Sequence, residues 1–136
     1  MSNQITIENT KFKPFVKLLS FAVVLFFLNS VIVYFFELFP GSWVFYTHIF
    51  FACITTLIIY IFNRVAENHI DKAGFVFIGF LFLKILLILI FLQILQKIIT
   101  FDKVFIANFS AVYLLYLFFS MYLCLKALNF YQKNKK

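Results

Sequence analysis

One lysine, Lys84, stands near the middle of an unbroken apolar run from Gly74 to Lys97 that contains no proline. About 20 apolar residues suffice for a helix to cross a bilayer core. A charged group at mid-span is costly there and marks a functional site by default. Other side chains able to do chemistry inside the long apolar runs are few. Asn29, His48, Thr55, Tyr113, Tyr116 and Ser120 are the intramembrane polar candidates. A histidine can relay protons, but no acid shares the depth of His48, so a hydrogen-bonded structural role is expected of it. The acids number five: Glu8, Glu37, Glu67, Asp71 and Asp102. None lies at mid-span, which excludes a carboxylate pair for acid–base work in the bilayer. Glu37 comes just before Phe39-Pro40-Gly41, at the interface, where a charge is only mildly costly.

The remaining motifs of chemistry are missing. His48, His69 and Glu37 have no metal-ligand spacing. Cys53 and Cys124 both fall inside apolar runs and read as small packing residues, not as a disulfide or metal framework. No phosphate-binding glycine loop, zinc-protease helix, nucleophile elbow or Cys-x-x-Cys is present. The expectation is a non-enzyme with no catalytic, cofactor or metal site.

Four runs must position these residues. In 136 residues the chain is 65% hydrophobic, with a mean hydropathy of +1.03, far above the roughly half of a soluble domain. The 23 phenylalanines reflect a phenylalanine-, isoleucine- and lysine-rich composition of the AT-rich bacterial kind and carry no functional weight. An all-α, polytopic membrane protein is predicted: a single four-helix transmembrane bundle over 1–136, with spans at about 15–39, 43–62, 74–97 and 104–128. Met1 to Lys13 lacks the pattern of a secretory signal and reads as a short cytoplasmic tail. Pro40-Gly41 closes the first span, Asn63 to Ala73 forms a polar, solvated connection, and Ile98 to Lys103 a short link.

The net charge of +7 would suggest nucleic acid in a soluble protein. Here it follows membrane orientation instead. Lys11, Lys13, Lys17, Arg64, Lys72, Lys126, Lys133, Lys135 and Lys136 fall on one side of four spans, and only Lys97 and Lys103 on the other. This bias predicts both termini in the cytoplasm of a multi-pass protein of the bacterial inner membrane.

Small and polar residues favour helix–helix contacts in lipid, which predicts the inward faces. Ser20, Ser30, Tyr34 and Glu37 share one face of the first span, with Asn29 off it. His48, Ala52, Thr55 and Thr56 share a face of the second. Tyr113, Tyr116, Ser120, Cys124, Ala127 and Tyr131 form a seam of coiled-coil period in the fourth, flanked by Phe118 and Phe119 nearer lipid. In the third, Gly79, Gln93 and Lys97 oppose the apolar face that carries Lys84. If that small and polar face turns inward, Lys84 points outward, toward a partner's counter-charge. The alternative is a lysine packed inside and hydrogen-bonded to Thr55 or Tyr116.

The layout resembles the ATP synthase protein I family of small bacterial four-helix membrane proteins. The matching stretches are Asn63-Arg64, closing the second span, and Gly79 to Lys84 in the third. The resemblance implies an assembly role at the rotor ring of the synthase, whose mid-membrane carboxylate would be the partner of Lys84. The first functional reading is therefore an accessory or assembly factor of a membrane complex, binding lipid and a membrane-protein partner or a second copy. The alternative is a small four-helix transporter or flippase, of the multidrug-exporter or lipid-linked-sugar kind, with Glu37 as the tempting first-helix acid. Too few intramembrane polar residues are present to line a transport cavity well, so the first reading is favoured.

Overall fold

The computed structural model describes residues 2–98 and 103–135, with side chains from 13 to 98 and from 103 to 134. Four α-helices account for nearly all of them: α1 (Ser2–Phe35), α2 (Ser42–Asn68), α3 (Ala73–Gln96) and α4 (Lys103–Lys135), with a 3-10 turn, Ile70–Lys72, before α3. No strand occurs among the described residues. Each helix carries a segment long and apolar enough to cross a membrane: Lys13–Phe35, Ser42–Asn68, Ile70–Gln96 and Lys103–Asn134. The expected all-helical class, with four helices long and apolar enough to span a membrane, is thus present among the described residues. Most of the expected link between α3 and α4 lies outside the described residues.

Three differences from the expected boundaries have a local reason, and α4 also runs on through Lys135, past the expected end at Leu128. The polar N-terminal stretch is helical from Ser2 and passes through Pro14. Proline has no N–H, so one ladder hydrogen bond, to the carbonyl of Thr10, is missing there. At its other end α1 stops at Phe35, four residues short of the expected Phe39. Glu37 takes a positive φ of 48°. Its N–H donates to the Tyr34 carbonyl at 3.4 Å, and the Leu38 N–H donates to the Val33 carbonyl at 3.2 Å. These two bonds define a Schellman cap, with glutamate where glycine is the usual residue.

The third difference is in the expected connection from Asn63 to Ala73. The α2 helix continues through it to Asn68, because Ala66 packs as part of the core and arginine, alanine and glutamate sustain a helix. The Asn68 side-chain amide donates to the Arg64 carbonyl at 3.0 Å, satisfying one of the last orphan acceptors. Only His69 lies outside helical geometry before the 3-10 turn.

The chain divides into two compact units, Met1–Thr56 and Leu57–Lys136, with the boundary inside α2. In the first, α1 buries Leu18, Asn29 and Val33, while α2 buries Val44, Thr47, His48, Phe51 and Thr55. The spacings, eleven and four residues on α1 and mostly three or four on α2, place each set on one face of its helix. Phe26 meets the Phe45 ring edge-on at 6.1 Å and the His48 ring at 5.7 Å, a favoured aromatic geometry.

In the second unit Phe62, Ala66, Ala73 and Cys124 form a core, with Phe77, Ala127, Leu128 and Tyr131 packed against it. Phe62 and Phe77 meet edge-on at 6.1 Å, a pairing worth about 0.5–1.5 kcal/mol beyond its buried area. Toward the other end of α3, Phe91 stacks on Phe109 at 6.0 Å. Contacts climbing α3 while descending α4 show that the two helices run antiparallel. The alanines at 66 and 73 let backbones approach closely, which is the main source of helix association where lipid is as apolar as leucine.

Candidate functional site

The buried polar side chains are Asn29, Thr47, His48, Thr55, Lys84 and Ser120, with the fully buried Tyr116 beside them in kind. They lie in two groups, one per unit. Among the described residues no buried side-chain nitrogen or oxygen lacks a hydrogen-bond partner.

In the first unit, Asn29 Nδ2 lies 3.1 Å from His48 Nε2. With the amide donating, the imidazole accepts at Nε2 and carries its proton on Nδ1. The residues are 6% and 4% exposed, so the bond is made out of reach of bulk water. The sequence pattern does not pair these two residues, and the first-span face expected to pack, through Ser20, Ser30, Tyr34 and Glu37, is not the one that does. Tyr34 and Glu37 are exposed, Ser30 is half-buried, and the exposed Ser20 hydroxyl donates to the Val16 carbonyl of its own helix at 2.9 Å. The face that packs runs through Asn29. A signal was available: Asn29 is six residues before the end of α1 at Phe35, and His48 six after the start of α2 at Ser42. Equal distances from a tight turn place residues opposite one another in a hairpin.

On α2 the expected face holds in part. His48 and Thr55 are buried and Ala52 half-buried, but Thr56 is exposed. The Thr56 hydroxyl donates to the Ala52 carbonyl at 2.7 Å, and the Thr47 hydroxyl to the Trp43 carbonyl at 2.8 Å. Hydroxyls that bond back to their own helix can sit on any face.

In the second unit, Lys84 is 1% exposed. Its Nζ stands 5.8 Å from the centroid of the Tyr113 ring, within the about 6 Å at which a ring face attracts a cation. The same face of α3 also buries Ala73, Ile88 and Leu95, whereas Gly79, Gln93 and Lys97 are exposed. Of the two orientations the sequence left open, Lys84 takes the inward one: the apolar face with the lysine is the packed one, and the small and polar face is the outer one. An amine at mid-span gains more from a ring and hydrogen-bond acceptors than lipid can offer.

The fourth-span seam is where the sequence placed it. Tyr116, Ser120 and Cys124 are buried, with Tyr113, Ala127 and Tyr131 half-buried, while Phe118 is 65% exposed and Phe119 half-buried. The Ser120 hydroxyl donates to the Leu117 carbonyl at 2.8 Å. Cys124 is buried as a packing residue, but Cys53 is exposed, which corrects its expected packing role. No cluster of three potential metal ligands occurs among the described residues.

Together these groups are a set of internally satisfied polar contacts on helices of membrane-spanning length, the interior of a candidate multi-pass membrane protein. No protein-family model matches this chain, and no curated protein or solved structure does either.

Proposed function

We propose that the chain is an integral protein of a bacterial inner membrane, with both termini cytoplasmic, acting as an accessory or assembly factor of a larger membrane complex. The observation that carries this reading is the outer face of α3. Phe75, Phe82, Leu86 and Leu89 are exposed along that helix, and so are Gly79 and Gln93. Small and amide-bearing residues among large apolar ones are the composition by which membrane helices associate. The resemblance to ATP synthase protein I suggests the rotor ring as the complex. With Lys84 turned inward, the outer face of α3, and not an ion pair to a ring carboxylate, holds the partner.

Gly79 supplies the test. A Cβ built there meets nothing within 4 Å, so Gly79→Leu leaves the fold intact while blocking close approach of another helix. Deletion of the gene should lower the amount of assembled rotor ring on native gels. Wild type should restore it, and Gly79→Leu should not. Unchanged ring assembly in the deletion strain rejects the rotor-ring role, and full rescue by Gly79→Leu rejects the α3 surface.

The transporter or flippase reading draws its support from an open groove beside α1. That groove follows α1 only from Phe27 to the turn at Gly41, less than half of the candidate span Lys13–Phe35, whereas a transport path must cross all of it. Stabilisation of the purified protein by a transported substrate, with no partner in mild detergent, would favour this second reading.

A further inference from the structure

In the first unit an open groove of about 830 Å3 follows one side of α1 and ends at the turn into α2. Phe27, Val31 and Phe35 give it apolar walls, and Tyr34, Glu37 and Gly41 line the end nearest the turn. Its volume falls in the range of about 300–1,000 Å3 typical of ligand sites. From Phe27 to Phe35 the helix rises about 12 Å, close to the depth of one leaflet of a core about 30 Å thick.

The charge pattern is as specific as the length. The candidate membrane-spanning segment of α1 ends at Phe35, so on the membrane reading proposed above, on which this inference rests, Glu37, two residues on, sits at headgroup level. Among the described residues, its carboxylate is the single charged group lining the groove. The positive φ of 48° costs backbone energy at a glutamate, and the cap hydrogen bonds around it hold the side chain's origin in place. A fitting ligand has a cation at the headgroup level and an apolar chain reaching one leaflet deep. We propose that this groove binds an aminophospholipid of the phosphatidylethanolamine type, one acyl chain lying along α1 and the headgroup ammonium donating to the Glu37 carboxylate. The Tyr34 hydroxyl, one turn before Glu37, is placed to donate to the lipid's ester or phosphate oxygens. A choline headgroup carries the same charge but no N–H, and so loses the charge-assisted hydrogen bond.

The test uses the full-length protein in micelles, with phosphatidylethanolamine and phosphatidylcholine of identical chains at equal concentration, read by native mass spectrometry. Wild type should retain the ethanolamine lipid about two- to fivefold over the choline lipid, the preference an exposed charge pair supports. Glu37→Gln should still bind lipid but lose the preference. Val31→Trp, which fills the groove away from the carboxylate, should lower the occupancy of both lipids. Equal retention by wild type, a preference that survives Glu37→Gln, or undiminished occupancy in Val31→Trp each overturns the proposal. So does a photo-crosslinker at Val31 that captures a polypeptide in native membranes instead of lipid, since a partner helix would then be the occupant.

Discussion

Asn29 and His48 are joined by a 3.1 Å hydrogen bond between Nδ2 and Nε2, each residue six positions from the turn that links α1 to α2. The bond ties the two arms of the hairpin together at a level where neither group meets water. Double-mutant cycles in other membrane proteins give about 0.6 kcal/mol for such polar contacts, with a maximum near 1.7. A cycle of Asn29→Leu and His48→Leu, read by equilibrium unfolding in detergent, should therefore show a coupling of about 0.5–1.5 kcal/mol. Strict additivity of the two substitutions would mean the contact does not stabilise the hairpin.

Lys84 should be chemically silent in the folded protein. It is 1% exposed, whereas Lys97 and Lys126 are exposed. An amine-acylating reagent followed by peptide mass spectrometry should modify Lys97 and Lys126 but reach Lys84 only after unfolding. Modification of Lys84 at the rate of Lys97 would return it to the outer face.

Glu37→Gly should stabilise the protein by about 1 kcal/mol. A left-handed backbone conformation costs a side-chain-bearing residue about 1–2 kcal/mol, offset in part by the greater freedom of glycine in the unfolded chain. Glu37→Ala keeps the Cβ and should gain nothing of this kind. Thermal unfolding of the three proteins in one detergent separates the cases. Equal midpoints for Gly and Ala would show that the cap geometry is unstrained.

Fusions of a cytoplasmically active reporter and a periplasmically active one check the orientation. The nine-to-two distribution of Lys and Arg about the spans acts through short connections, where the rule is strongest. A fusion after Lys136 should report the cytoplasm, and one after Gly41 the opposite side. The reverse result would place Glu37 in the cytoplasmic leaflet and change which lipids it meets.

Apolar run length by itself determined the helices, because a backbone surrounded by lipid has to satisfy its hydrogen bonds internally. The four helices of membrane-crossing length follow from that, and the spacing of Tyr116, Ser120 and Cys124 marks the α4 seam, where all three are buried. Which face of α1 and α3 packs was decided only in the tertiary structure. Both helices are apolar nearly all the way round, so no stripe marks the inward side. The few polar residues mislead as often as they guide. Ser20 satisfies its hydroxyl on its own helix and has no need to turn inward, whereas Asn29 needs a partner and finds it in His48. Lys84 sits on a face that reads as purely apolar, yet a charged group in such a run turns to the interior of the bundle, and there the Tyr113 ring of α4 lies 5.8 Å from its Nζ. Only the antiparallel packing of α3 and α4 brings lysine and tyrosine to the same level, with Ala73 and Phe77 of α3 packed against Cys124 and Ala127 of α4 toward one end.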